Sequence, residues 1–341
     1  MLGYLINWAH EWTNRALALV KLCQNREVGW MTLDRKSREF KREQQPLWKK
    51  VKMLFLFNRL TEWIDQTHLL RLWTHEKNLY AGWIEGRPRS KRQIANFVDF
   101  YHIDMSEFEP SDISEYPTFE DFFIRKHAPG SRPIYEKDDP TKAVIVADSR
   151  VVVYSTVSKT KELWIKGKNF TMGNLIADQD RAKPWHDGAV ASFRLSPQDY
   201  HRYHSPVKGT VRWFKSIPGD YYQVDPLCLQ SSVNILTQNA RCCVCIETEE
   251  FGQVLFVAIG ATDVGTVEIH EPLRTPGHQV EKGDEIGLFQ FGGSSIIVAF
   301  EQGRIQFDED LEKLSHQKIM VDVEVGMSMG RATNPSGQKE Q

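Results

Sequence analysis

From Ala143 onward the chain is dominated by short runs of Val, Ile and aromatic residues separated by Gly, Pro, Asn and Asp. These runs are 143–157 (AVIVADSRVVVYSTV), 209–217 (GTVRWFKSI), 240–249 (ARCCVCIETE), 252–269 (GQVLFVAIGATDVGTVEI) and 294–307 (SSIIVAFEQGRIQF). β-Branched and aromatic side chains lose rotamer freedom in a helix but fit a pleated surface, so the runs predict strands. Several stand a single turn apart. That leaves no room for crossover helices, and the sheets are expected to be largely antiparallel.

Upstream the period changes. Trp48, Val51, Phe55, Leu56, Leu60, Trp63 and Ile64 recur at three- and four-residue spacing, with Lys49, Lys50, Lys52 and Arg59 between them. The pattern predicts an amphipathic helix with two readings: packing on a core, or lying on an anionic membrane surface, where Trp, Phe and Lys are favoured together. Gly86, Pro88 and the basic run Arg87–Arg92 then mark a linker or helix boundary. The expected architecture is α+β, with a helical N-terminal region over 1–135, in possible peripheral contact with a membrane, and a β-rich domain over 136–341.

Composition narrows the function. With 41% hydrophobic residues and eighteen Phe, disorder is excluded, and 43 basic against 45 acidic side chains exclude a nucleic-acid binder that relies on bulk positive field. The longest wholly apolar runs, such as MLFLF at 53–57, are far short of the roughly 20 residues that span a bilayer. The first residues show no basic segment leading into an apolar one, and Glu11 stands where a transit peptide avoids acid, so a cytoplasmic protein without a signal is expected. Three of five cysteines, Cys242, Cys243 and Cys245, fall in one predicted strand and no CxxC pair is present. They read as small buried side chains in a reducing compartment, not as zinc ligands. Neither GxGxxG after a strand nor GxxxxGK[ST] occurs.

Two places could bear chemistry. His201 and His204, in SPQDYHRYHSPVKG, are three residues apart, but Pro197 and Pro206 disfavour the helix that would make them a metal pair, and no third ligand is local. They fit general acid or base work, or a structural role. Ser294 follows Gly292 and Gly293, whose backbone freedom permits a strained turn under its hydroxyl; the plain alternative is the start of a hairpin strand.

Seven blocks fall in one order: YPTFEDFFIRKHAPGSRPI (116–134), VADS (146–149), WIKGKNFTMGNLI (164–176), FRLSPQDYHRYHSPVKG (193–209), VDPLCL (224–229), VAIGATDVGTV (257–267) and KGDEIGLFQFGGSS (282–295). In these the chain resembles the phosphatidylserine decarboxylase family, most closely its fungal, extramitochondrial type. The resemblance covers about two hundred and forty residues.

The resemblance implies a proenzyme that cuts itself between Gly293 and Ser294, leaving a β chain, 1–293, and an α chain, 294–341, whose first residue has become a pyruvoyl group. The Ser294 hydroxyl would attack the Gly293 carbonyl, exchanging amide for ester. Elimination then frees the upstream carboxylate and leaves dehydroalanine, which hydrolyses to the ketone with loss of ammonia. A serine needs an adjacent base and an orienting acid, and the matched triad is Asp148, His204 and Ser294. The covalent pyruvate then accepts the substrate amine and serves as electron sink for decarboxylation, with His201 as candidate proton donor. No metal is called for.

The chain departs from the family pattern in three places: VADS stands for Pro-Ala-Asp-Gly, ATDVGT brings in Asp263, and GGSS replaces LGST or GGST. The implied reaction converts phosphatidylserine to phosphatidylethanolamine and CO₂. Alternatives are decarboxylation of a free aromatic amino acid by the same pyruvoyl chemistry, and a non-processing homologue that binds lipid or a partner. The resemblance also implies a homodimer of αβ units.

Overall fold

The computed structural model of the chain describes residues 31–42, 86–163, 170–219, 235–260, 267–290 and 294–333. The helix expected near 48–64, the 224–229 motif, Asp263, Gly292, Gly293, Cys23 and Cys228 lie outside the described residues.

The described chain opens with a hairpin of β1 (Met31–Asp34) and β2 (Phe40–Arg42). Next come α1 (Ile94–Tyr101), β3 (Phe108–Glu109), α2 (Phe119–Phe123) and β4 (Lys126–His127). Then follow β5 (Lys142–Val144), β6 (Ser149–Tyr154), α3 (Val157–Leu163) and α4 (Met172–Ile176). After these lie β7 (Ala189–Leu195), β8 (Arg202–His204), β9 (Gly209–Ile217), α5 (Ile235–Gln238), β10 (Arg241–Thr248) and β11 (Gly252–Ile259). The remaining elements are β12 (Val267–Ile269), β13 (Gln279–Val280), β14 (Glu285–Phe289), β15 (Ser294–Phe300), β16 (Ile305–Phe307), α6 (Glu309–His316), β17 (Met320–Val323) and β18 (Ser328–Ala332).

The fold is α+β, built on a ten-stranded sheet ordered β13-β9-β10-β11-β15-β7-β6-β17-β1-β2. Every pairing in it is antiparallel except β1 with β17. β15 runs through the interior between β11 and β7, and all seven of its residues are buried. Burial on both faces explains why SSIIVAF reads as a continuous apolar run and not as an alternating one. Cys242, Cys243 and Cys245 are buried on β10, where burial pushes the Cys243 and Cys245 thiols up to about 12.

Only part of the N-terminal region falls among the described residues. Residues 86–135 hold short helices, whereas 31–42 form a hairpin whose turn is fixed by Asp34, its carboxylate accepting from the Lys36 amide at 2.9 Å and the Ser37 amide at 3.0 Å. β1 gains its place by pairing with β17, a partner nearly three hundred residues away that no local pattern announces. Beside the sheet, Ile94, Tyr116, Phe119, Phe122 and Phe123 form a separate aromatic cluster. Thr118 starts α2 within it, accepting from the Asp121 amide at 3.1 Å. This cluster aims the following segment, with Arg125, His127 and Arg132, at the β5–β6 connection.

Candidate functional site

Ser294 is the first residue of β15, where it lies opposite Leu195 of β7. It is fully buried, and among the described residues its Oγ has no hydrogen-bond partner. The β7–β8 connection wraps past it. Asp199 closes that turn by accepting from the Ser196 amide at 2.7 Å, and is itself held by Arg150 at 2.8 Å. His201 follows, wholly buried, its ring packed on Phe123 with centroids 3.8 Å apart. Its Nδ1 donates to the Asp199 carbonyl at 2.8 Å, and its carbonyl accepts from the Phe289 amide at 2.9 Å. Phe289 is thus fastened to the connection that carries His201, and Ser294 to Leu195 at the end of the strand before it.

Asp148 and His204 approach through their backbones, because the His204 amide donates to the Val146 carbonyl at 2.8 Å. Their side chains take different partners. The Asp148 carboxylate accepts from Arg132 Nη2 at 2.8 Å and from the Val325 amide at 2.7 Å, and lies 3.2 Å from His127 Nε2. Burial alone raises a carboxyl, but His127 and Arg132 outweigh it and hold Asp148 well below the usual carboxylate range. Asp148 makes no hydrogen bond to His204 here.

His204 instead donates from Nδ1 to the Gly283 carbonyl at 2.8 Å, and its Nε2 lies 3.1 Å from the Tyr200 hydroxyl. Gly283 has φ 87°, a left-handed conformation in the turn closed by the Asp284 amide on the Glu281 carbonyl. Burial pushes the His204 imidazole down, against the pull of Gly283, Glu285 and Asp148. Between the two pairs the rings stack: Phe108 on His127, His127 on Tyr200 with centroids 3.9 Å apart, and Tyr200 over His204.

A cavity of about 300 Å³ opens beside this stack, lined among others by Glu107, Arg125, Arg132, Asp148, Asp199 and Tyr200. Arg125 is buried under it, lying over the Phe108 ring at 4.3 Å and donating to the Gln198 carbonyl at 2.8 Å. Burial pushes its guanidinium down to about 10.

The arrangement offers a desolvated hydroxyl, a neutral imidazole with a fixed tautomer and a carboxylate locked in its ionised form. Those are the kinds of group an activated nucleophile needs, but the expected triad is not hydrogen-bonded together: among the described residues the Ser294 Oγ meets neither histidine, and His204 meets Gly283 and Tyr200. Among the described residues there is no cluster of His, Cys, Asp and Glu able to hold a metal. Four residues escaped the sequence reading: Arg132 and His127 beside Asp148, and Tyr200 and Gly283 beside His204. All four fall within blocks quoted above, and a His and an Arg five residues apart in IRKHAPGSRPI were the available signal.

The profile of the phosphatidylserine decarboxylase family matches residues 119–331. The chain is similar to phosphatidylserine decarboxylase proenzyme 2 of Oryza sativa subsp. japonica, 42% identical over 250 residues, which is 72% of this chain and 39% of that protein. Against phosphatidylserine decarboxylase proenzyme 2 of Komagataella phaffii it is 40% identical over 246 residues, 71% of this chain and 24% of the other. The chain therefore spans about a quarter to two fifths of the length of these plant and fungal relatives. The phosphatidylserine decarboxylase proenzyme of Chlamydia felis is covered almost whole, 33% identical over 287 residues, 84% of this chain and 92% of that protein. A family profile over residues 119–331 and a buried serine at the head of an interior strand lead to one conclusion: the chain belongs to the phosphatidylserine decarboxylase family.

Proposed function

We propose that the chain is a pyruvoyl-dependent decarboxylase that cuts itself between Gly293 and Ser294 and then converts phosphatidylserine to phosphatidylethanolamine and CO₂. The observation that carries this reading is the Ser294 hydroxyl, wholly buried and unpartnered among the described residues. A buried hydroxyl left in that state costs folding about 1–3 kcal/mol, which alanine would avoid, so its presence is best accounted for by chemistry.

Ser294 is the nucleophile of the cut. His204 takes its proton at Nε2 while Nδ1 stays tied to the Gly283 carbonyl. Asp148, kept ionised, steadies the imidazolium through the field it exerts on His204. A pyruvoyl group at position 294 supplies a carbonyl that takes up the electron pair left when CO₂ departs. The orphaned buried oxygen of Ser294 fits that conversion, because the group forms in place and needs no entry path. His201, anchored through Nδ1 to the Asp199 carbonyl, holds the proton delivered to the substrate carbon.

Among the described residues no helix is long and apolar enough to cross a membrane. The protein reaches its lipid peripherally, through the basic aromatic segment around 48–64, presenting a β-rich catalytic domain over 136–341. Two αβ units pair in the working assembly. Release of CO₂ from phosphatidylserine vesicles, set beside free tryptophan, tests the substrate. Turnover of the vesicles alone is expected, and turnover of tryptophan alone overturns the lipid assignment. Self-cleavage retained in His204→Ala, seen as two chains on a denaturing gel, removes His204 from the triad.

A further inference from the structure

Among the described residues the Tyr200 hydroxyl is the polar group that meets the proton-accepting nitrogen of His204, 3.1 Å away. The Gly283 carbonyl can only accept, so His204 Nδ1, 2.8 Å away, carries the ring hydrogen. A neutral imidazole has one N–H, so Nε2 is the acceptor, and the Tyr200 hydroxyl at 3.1 Å donates to it. Tyr200 is 3% exposed, its ring stacked between His127 and His204. A phenol needed only to fill that slot gains nothing from a hydroxyl, and a hydroxyl taken out of water must find a partner. Here the partner is the base.

We infer that Tyr200 is a positioning residue for His204, its hydroxyl holding the imidazole in the neutral tautomer whose Nε2 can take up a proton. The inference rests on the reading of His204 as the base of self-cleavage.

The charged groups around His204 are few and come from several elements. Glu285 on β14 faces it, itself paired with Arg202 Nη1 at 2.6 Å and accepting from His270 Nε2 at 2.7 Å. Asp148, between β5 and β6, and His127 on β4 face it from the other side, with Arg132 locked on the carboxylate. The two carboxylates favour a protonated His204, and burial together with His127 opposes them. A donor on Nε2 adds to the neutral side, because it stabilises only the form that can accept.

Tyr200→Phe removes the hydroxyl and keeps the stacked ring. The neutral imidazole loses its donor, so its proton affinity rises, by about half to one pH unit for one neutral hydrogen bond. A residue that merely fills space leaves this midpoint where it was.

The test is an NMR titration of the full chain carrying Ser294→Ala, to keep it uncut, with ¹³C-labelled histidine and the His204 signal assigned by its loss in His204→Ala. With Tyr200→Phe the His204 midpoint is expected to rise by about half to one unit; an unmoved midpoint overturns the inference. Should the Phe variant fail to fold, 2,3-difluorotyrosine at position 200 keeps the ring and makes a stronger donor. The midpoint then falls, and again no movement overturns the inference. In the chain with Ser294 restored, the pH of half-maximal cleavage rises with Tyr200→Phe in step with the titration. If the titration moves while His204→Ala still cleaves, the positioning by Tyr200 stands and the reading of His204 as base fails.

Discussion

Ser294 and Leu195 face each other as the first cross-strand pair of β15 with β7, so the proposed scission point sits at the mouth of an interior strand. Among the described residues, three of the four downstream strands pair directly with strands that lie upstream. β15 is bonded to β7 and β11, β17 to β6 and β1, and β18 to β5. A cut before Ser294 severs one peptide bond and leaves these ladders whole.

Replacing Ser294 by Ala is expected to leave a full-length chain of 39.5 kDa that is as stable as the uncut parent or more so. The hydroxyl is buried without a partner among the described residues, and removing such a group relieves a penalty of about 1–3 kcal/mol. Thermal unfolding read beside a denaturing gel checks both halves. A clear loss of stability means the hydroxyl has a structural partner.

Asp148 is the acid-sensitive point of the site. Its carboxyl is held below the ordinary value in the fold, so it adds stability above the unfolded value of about 4 and loses it as pH falls toward the folded one. Asp148→Asn should flatten the fall in stability below about pH 4 and, at neutral pH, cost about 1–3 kcal/mol by taking one of its two carboxylate partners from Arg132, which keeps Glu107 at 2.8 Å. Denaturant midpoints measured across acid pH for both proteins give the comparison. Parallel curves contradict the assignment.

Arg35 clamps the hairpin onto the downstream half. Its guanidinium meets Asp308 at 2.8 Å and Asp310 at 2.9 Å and donates to the Ser328 carbonyl, all beyond the cut. The side chain is 12% exposed, so this pair is shielded from the screening that weakens surface bridges. Arg35→Ala should cost about 1.5–3 kcal/mol and let the α chain dissociate at lower denaturant, seen by size exclusion of the cleaved protein. Unchanged dissociation would show that the strand ladders alone hold it.

The central strands were legible because each carries its signal within itself. Cys242–Ile246, Val254–Ile259 and Ile296–Phe300 are buried on both faces, so their burial writes itself as unbroken apolar sequence. β8, β12 and β17 are three or four residues long, too short for a period to show, and β1 depends on a partner across the chain. The site divides in the same way. Ser294, His201, His204 and Asp148 stood out by residue type within motif blocks. The partners that tune them did not, because Arg132 and His127 reach Asp148, and Tyr200 reaches His204, only once the aromatic cluster around Phe122 has folded against the sheet.

The most direct test of the account is the intact mass of the purified protein after incubation at neutral pH. Two chains are predicted, 1–293 and 294–341, the shorter with a blocked N-terminus whose carbonyl reacts with hydrazine. One undivided chain of 39.5 kDa, with Ser294 unaltered and no reactive carbonyl, contradicts it.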